Sequence, residues 1–189
     1  MGRMINPPVK LTDDVVMRAI AKSDAHALAD AYQRNRDFLR PWEPRRPDDF
    51  FTAAGQAARL ERLAVDRAAG FVMPWVLMDG DRLVGRMNLN SIIRGAAQSA
   101  SLGYWVDAEY NGRGLATKAV LEACRAADED FALHRVEAGT LLHNTTSQAV
   151  LRRTGFEEYG MAPRAICIDG EWQDHTLFQR ILNDRPAPM

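Results

Sequence analysis

Hydrophobic residues of this chain recur with helical spacing in some segments and with alternating spacing in others. After Gly114, apolar positions recur every four residues and charged positions occupy the opposite face, which predicts an amphipathic helix. The apolar positions are Leu115, Ala119, Ala123 and Ala127, and the charged ones are Lys118, Glu122, Arg125 and Glu129. Before that glycine, Leu102, Tyr104 and Val106 alternate with Ser101, Gly103 and Trp105, which predicts a half-buried strand.

The remaining segments predict further strands and helices in a mixed order. Predicted strands are Val15–Ile20, Trp75–Met78, Leu83–Leu89, Arg135–Leu141, Ala165–Ile168 and Glu171–Ile181. Predicted helices are Ala25–Arg34, capped by Ser23-Asp24, a longer one from Pro47 to about Ala69, and one from the cap Asn144 to Thr154. This order predicts an α/β fold with a mixed, mostly antiparallel sheet and helices on its faces. Residues 1–182 are expected to form one domain and residues 183–189 a disordered tail.

Composition excludes several classes of function. The 24 basic and 25 acidic residues give a net charge of −1, so nothing favours nucleic acid or an anionic membrane as a partner. The two cysteines, Cys124 and Cys167, have neither metal-ligand spacing nor a disulfide pattern, so no metal is expected. The first eight residues lack the apolar stretch of a secretory signal, and a cytoplasmic location is predicted.

A glycine-punctuated turn before the amphipathic helix is the main candidate for binding chemistry. Unpaired amides and the helix dipole at such a position suit a phosphate. The turn is Asn111-Gly112-Arg113-Gly114-Leu115-Ala116. The chain has no G-x-x-x-x-G-K-[ST] run for a nucleoside triphosphate, and Gly112, Gly114 and Thr117 meet the dinucleotide fingerprint G-x-G-x-x-G only in part. A third pattern, Q/R-x-x-G-x-G/A, is met at Gly114 and Ala116, while Asn111 replaces glutamine or arginine.

That third pattern is the pyrophosphate turn of the GNAT acetyltransferases, and the chain resembles this superfamily over nearly its whole length. Within it, the chain resembles the RimJ/RimL type, the protein N-terminal acetyltransferases and their many relatives. The matching segments are Phe38–Trp42, Leu102–Trp105, Leu133–Ala138, Asn144-x-x-Ser147, Gly155-Phe156 and Gly170–His175. The resemblance implies a GNAT fold of about seven strands in which two central parallel strands splay apart.

The resemblance also implies where acetyl-coenzyme A binds. Its diphosphate would lie on the turn, and its pantetheine arm would pair with the backbone of Trp105 and Val106 and lie near Asn144. The implied cofactor-binding residues are therefore Trp105, Val106, Asn111, Gly112, Arg113, Gly114, Leu115, Ala116, Thr117, Asn144 and Ser147. The Val106 N–H is the expected oxyanion donor.

The expected acid is better defined than the expected base. Leu151 stands where many GNAT enzymes have a tyrosine that protonates the leaving thiolate, so Ser147 is the candidate general acid or sulfur hydrogen-bond donor. RimJ-like sequences have glutamates where this chain has Ser101 and Tyr159, which leaves Glu158 as the candidate base. Phe38, Arg40 and Trp42 are expected to shape the acceptor side.

The sequence therefore predicts an acetyltransferase that moves acetyl from acetyl-coenzyme A to a primary amine by direct attack in a ternary complex. The acceptor is either a protein N-terminus or a small molecule. The alternative is a non-catalytic acyl-coenzyme-A-binding regulatory or sensor module of the same fold. The resemblance is compatible with a homodimer.

Overall fold

The computed structural model describes residues 7–186, with eight strands and five α-helices in that range. The strands are β1 Val9–Lys10, β2 Val15–Ala19, β3 Met73–Asp79, β4 Arg82–Ile93, β5 Ser99–Val106, β6 Arg135–Leu141, β7 Glu157–Ile168 and β8 Glu171–Ile181. The helices are α1 Ala25–Arg34, α2 Arg36–Leu39, α3 Ala53–Ala68, α4 Leu115–Glu129 and α5 Thr145–Arg153. Two parts of the chain lie outside the described range. They are residues 1–6, which belong to the N-terminal segment predicted to lack a secretory signal, and the last three residues of the predicted tail.

The strands form a single sheet in the order β1-β2-β3-β4-β5-β6-β8-β7. All neighbours are antiparallel except β5 and β6, which are parallel. This confirms the predicted mixed, mostly antiparallel sheet, with eight strands rather than about seven. Among residues 7–186, none of the helices combines the length and apolar character needed to cross a bilayer.

Two hydrophobic clusters cover the two faces of the sheet. Strand β3 contributes to both, since Trp75 and Leu77 belong to one cluster and Val76 and Met78 to the other. The first cluster includes the apolar face of α4, and all four of its predicted apolar positions are buried. The second includes Leu28, Ala31 and Tyr32 of α1. The helices therefore pack on both faces, as predicted, because apolar side chains alternate along the strands.

One helix start and one helix cap differ from prediction, whereas α1 begins at Ala25 as predicted. The long helix begins at Ala53 rather than at Pro47, because residues 48–51 form a 3₁₀ turn and Thr52 is extended. The Thr52 side chain accepts a hydrogen bond from Gly55 N–H at 3.0 Å and caps the helix. Asp24 precedes α1 but does not cap it, since its carboxylate accepts from Ala21 N–H at 2.8 Å and from Arg18.

The C-terminal part of the chain also differs from prediction. Strand β7 starts at Glu157, eight residues before the predicted start, and register shifts interrupt its pairing with β8 at two places. These irregularities hid the strand, because a bulge breaks the alternation of polar and apolar residues. In the segment predicted to be a disordered tail, Asn183 donates to Asp128 and to Leu133 O, each at 2.8 Å. That segment is therefore hydrogen bonded to the domain at its start.

Candidate active site

The site begins where the two parallel strands separate. Strands β5 and β6 pair only from Ser99–Ser101 to Arg135–Glu137. Beyond this point they diverge and leave a cleft of about 410 Å³, lined on its two sides by residues 101–105 and 138–141. The predicted splay is therefore present, and the C-terminal half of β5 has backbone groups on this side with no strand partner.

The backbone amide of Val106 faces this gap. Val106 lies opposite Gly85 of β4, and the next residue, Asp107, donates its N–H to Val84 O at 2.8 Å. Because successive residues of an antiparallel strand direct their amides to opposite sides, the Val106 N–H points away from β4. It is a free donor on the side where the strands separate. The Trp105 indole instead lies in the second hydrophobic cluster and donates to the Tyr32 hydroxyl at 3.2 Å.

The glycine turn opens α4 with the geometry of an anion site. Gly112 and Gly114 have φ of +77° and +72°, the left-handed region that glycine adopts without strain. The first helical bond runs from Lys118 N–H to Gly114 O at 3.1 Å, so the amides at residues 114–117 have no intrahelical acceptor. A Cβ atom added at either glycine would meet nothing within 4 Å. The turn thus has donors, dipole and open space for a diphosphate.

The other predicted residues of the turn differ in how free they are. The Arg113 guanidinium donates to Glu109 O at 2.9 Å and lies over the Tyr110 ring, so it is held by its own turn. The Asn111 side chain is exposed. Leu115 is buried in the core, whereas Ala116 and Thr117 are half-buried. These three residues can therefore contribute only their backbone amides to an anion site.

Asn144 and Ser147 come together at the start of α5, as predicted. The Asn144 side chain accepts from Ser147 N–H at 3.1 Å and caps the helix. Both residues line the cleft. The cap fixes the first turn of α5 and with it the backbone position of Ser147.

The structure adds Tyr104, which sequence reasoning left as a strand residue. Its hydroxyl lies 2.9 Å from Ser147 Oγ and 3.4 Å from Ser147 O, and it also lines the cleft. Burial raises the pKa of Tyr104 to about 12, against the opposing effect of the hydrogen bond with Ser147. The phenol therefore keeps its proton and can donate to Ser147 Oγ, which leaves the serine proton free to point into the cleft. The available signal was the alternation that puts Tyr104 on the face opposite Trp105.

The segment between α2 and the 3₁₀ turn, residues 40–47, forms one wall of the cleft and is named the acceptor loop. Trp42 lines the cleft and its ring lies 5.4 Å from that of His143, which joins this loop to the start of α5. Arg40 lines an adjoining pocket of about 290 Å³ and pairs with Asp169 at 3.3 Å. Phe38 is exposed and lines neither cavity. Of the three predicted acceptor-side residues, the structure therefore brings one into the cleft.

The candidate base Glu158 lies apart from these groups. It is exposed at the start of β7, pairs with Arg152 at 3.0 Å and does not line the cleft. Two other titratable side chains do line it, His175 of β8 and Glu43 of the acceptor loop. His175 is buried, and its Nδ1 lies 3.1 Å from Gln173 O. Sequence reasoning missed Glu43, for which the signal was a carboxylate next to Trp42 between two prolines.

Cys124 takes no part in the cleft. It is buried in the first hydrophobic cluster, and burial raises the pKa of its thiol to about 11. A thiol that stays protonated is a poor nucleophile. This agrees with direct attack by the acceptor rather than with a covalent acetyl-enzyme.

Comparison with known proteins identifies the family. Residues 14–157 match the acetyltransferase (GNAT) domain. The chain is 36% identical over 174 residues to the ribosomal protein uS5-alanine N-acetyltransferase of Escherichia coli strain K12, covering 90% of each chain. The structure superposes with a TM-score of 0.91 on the ribosomal-protein-S5-alanine acetyltransferase of Vibrio fischeri, at 31% identity over 96% of this chain and 100% of that one.

A second solved structure contains the coenzyme. Mycobacterium smegmatis RimJ, in complex with CoA-disulfide, gives a TM-score of 0.84 at 30% identity over 88% of this chain and 81% of that one. In the present chain, the free amides at the start of α4 have the donors that suit a diphosphate, and the splayed strands leave space for an extended arm. The chain belongs to the GNAT acetyltransferase family and is an enzyme that transfers the acetyl group of acetyl-coenzyme A to an amine.

Proposed function

We propose that the acceptor is the free α-amino group of a protein N-terminus. The relatives at 31% and 36% identity are both named for an alanine of ribosomal protein S5, and one of them is named as its N-acetyltransferase. The observation that carries the proposal is that two cavities lie side by side and share part of their lining. The cleft shares Leu39, Glu43, Pro44 and Arg46 with the adjoining pocket, so there is space beyond the amine for the residues that follow it.

The chain's own groups have distinct roles in this reaction. Acetyl-coenzyme A supplies the acetyl group as a thioester. The amides at residues 114–117 hold its diphosphate, and the free Val106 N–H is placed to stabilise an oxyanion. Ser147 donates a hydrogen bond to the sulfur, and Tyr104 holds the Ser147 hydroxyl in that orientation. Most of the rate enhancement comes from holding the amine beside the thioester. No step in this scheme calls for a metal.

An acceptor panel tests the proposal. Peptides that begin with alanine or serine are compared with the same peptides blocked at the N-terminus, and with polyamines and small primary amines. Thiol release is measured for each. The proposal predicts turnover of the free peptides, with a higher kcat/KM than for any small amine, and none for the blocked ones. Turnover confined to small amines would contradict it, and coenzyme A binding without turnover of any acceptor would favour the sensor module.

A homodimer and a cytoplasmic location stay predictions. The oligomeric state is measured by sedimentation equilibrium of the purified chain, where a mass of about twice 21.1 kDa is expected. A mass equal to that of one chain over the whole concentration range would contradict the dimer.

A further inference from the structure

Glu43 is a half-buried carboxylate at the meeting point of the cleft and the adjoining pocket. It lines both cavities, and its side chain is 22% exposed. Among the described residues that line the cleft, it is the only acidic one. Its backbone is held by Pro44 on one side and by Trp42, whose ring packs against His143, on the other. The backbone that carries this carboxylate is therefore held where the linings of the cleft and the pocket meet.

Glu43 is half-buried, and it lacks the partners that the buried carboxylates of the described chain have. Asp24 accepts three hydrogen bonds of 2.7–2.8 Å, and Asp107 accepts from Arg34 at 2.8 Å and from Glu109 N–H at 3.0 Å. For Glu43 the nearest cation is Arg46 at 3.8 Å, and within residues 7–186 no donor lies within hydrogen-bond distance of its carboxylate. The carboxylate of Glu43 therefore has acceptor capacity that no described residue uses, and a ligand with donors would fill it.

The electrostatic surroundings of Glu43 favour a proton on it. Burial raises the pKa of the Glu43 carboxyl, and the charges of Arg46 and Arg86 only partly oppose this. A carboxylate with a raised pKa is a stronger base than an exposed one. Charged or titratable groups line the same two cavities on every side or act on its charge: Arg40, Arg45 and Arg46 of its own loop, Arg36 and Asp37 of α2, Tyr32 of α1, Arg86 of β4, Tyr104 of β5, Asp169 of the β7–β8 turn and His175 of β8.

Of the other groups of the cleft that could accept a proton, Tyr104 is fully engaged and His175 is engaged at one ring nitrogen. The phenol of Tyr104 is bonded to Ser147 and keeps its proton. One ring nitrogen of His175 is bonded to Gln173 O, within the same strand. Glu43 is thus the anionic group of the cleft that has unused acceptor capacity, and an ammonium brings three donors.

We propose that Glu43 binds the acceptor as an ammonium ion and removes its first proton. This proposal rests on the proposed transfer to a free α-amino group. One N–H bond of the ammonium breaks, its proton goes to a carboxylate oxygen of Glu43, and the nitrogen keeps the electron pair. With that pair the nitrogen forms the C–N bond to the acetyl carbon. The C–S bond of the thioester breaks, its electron pair leaves with the sulfur, and the second proton of the nitrogen is transferred to that sulfur. The Glu43 proton then passes to solvent through the open side of the adjoining pocket.

The test compares Glu43→Gln with wild type and with Glu61→Gln, an exposed glutamate that pairs with Lys22 on the surface. Glutamine keeps the size of the side chain and removes the charge. We expect kcat/KM for an alanine N-terminal peptide to fall about 100-fold in Glu43→Gln. The acidic limb of its pH profile should disappear, whereas Glu61→Gln should match wild type.

Two measurements besides activity distinguish this role from a structural one. Calorimetry should give Glu43→Gln the coenzyme A affinity of wild type, and urea unfolding should show no loss of stability, because the variant removes a charge that burial disfavours. A wild-type kcat/KM with an intact acidic limb in Glu43→Gln would overturn the proposal. So would loss of that limb in His175→Gln but not in Glu43→Gln, which would identify His175 as the base. If wild type itself acetylates no N-terminal peptide, the proposed acceptor is wrong and this inference fails with it.

Discussion

Replacement of Ser147 by alanine isolates the group that we place beside the coenzyme A sulfur. The change removes one hydroxyl at the start of α5 and leaves the Asn144 cap intact, because the cap uses the Ser147 backbone N–H. The fold should tolerate the change. The Tyr104 hydroxyl loses its 2.9 Å partner but still has Ser147 O at 3.4 Å, so the free energy of unfolding should fall by less than about 1 kcal/mol.

The effect on catalysis should be larger than the effect on stability. A neutral thioester sulfur is a weak acceptor, whereas the departing thiolate carries charge. A hydrogen bond to a charged group contributes about 1.5–3 kcal/mol, so its loss should lower kcat by about 10- to 150-fold. The affinity for coenzyme A should stay within about twofold of wild type, because the diphosphate is held at the start of α4, away from Ser147.

Thiol release under steady-state conditions measures kcat, and titration calorimetry measures the affinity for coenzyme A. Thr146→Ala is the matched control, since Thr146 is the exposed neighbour of Ser147 on the same helix. Equal kcat in Ser147→Ala and Thr146→Ala would remove Ser147 from the mechanism. A parallel loss of kcat and coenzyme affinity would instead mean that the variant disturbs the binding site.

Three further predictions follow from particular contacts. Gly114→Val places a β-branched residue at φ +72°, at a strain of about 1–2 kcal/mol, and fills space beside the free amides. Calorimetry should show at least tenfold weaker coenzyme A binding, and unchanged affinity would argue against this turn as the diphosphate site. Asp107→Asn leaves Arg34 without its buried carboxylate and should lower the free energy of unfolding, measured in urea, by about 2 kcal/mol. Neutral surface substitutions change this free energy by up to about 0.5 kcal/mol, so a smaller change would show that the pair does not stabilise the fold. Burial disfavours the Asp24 carboxylate, but hydrogen bonds from Arg18 and the Ala21 N–H outweigh this effect and lower its pKa. The stability that these bonds contribute is therefore present above the ordinary carboxyl pKa of about 3.9 and is lost as pH falls through the lowered value. Asp24→Asn should flatten the acid limb of the plot of unfolding free energy against pH, and an unchanged limb would contradict the assignment.

The fold could be predicted from the sequence where a local pattern decides it. The four-residue period after Gly114 and the glycine itself mark α4, and the structure places the helix at Leu115–Glu129. The start of α3 could not be read in this way, because Pro47 is equally compatible with the 3₁₀ turn that the structure has. Strand β7 was missed in part because its register shifts conceal the alternation on which strand prediction depends.

The same distinction holds in the candidate site, where contacts within one segment could be predicted and contacts between distant segments could not. Asn144 and Ser147 are three residues apart, so a capping pattern is enough to predict their contact. Tyr104 and Ser147 are 43 residues apart, and Glu43 reaches the cleft from a different loop. Contacts of that kind depend on the separation of β5 from β6, which is a property of the sheet rather than of any one segment. A base chosen by position relative to a motif therefore gave Glu158, which the structure places outside the cleft.

A crystal structure of the chain with bound coenzyme A tests the central claim most directly. We predict that the diphosphate accepts hydrogen bonds from the amides of Gly114 to Thr117 and that the sulfur lies within hydrogen-bond distance of Ser147 Oγ. A diphosphate bound anywhere else, or a sulfur that points away from Ser147, would contradict this account of the site.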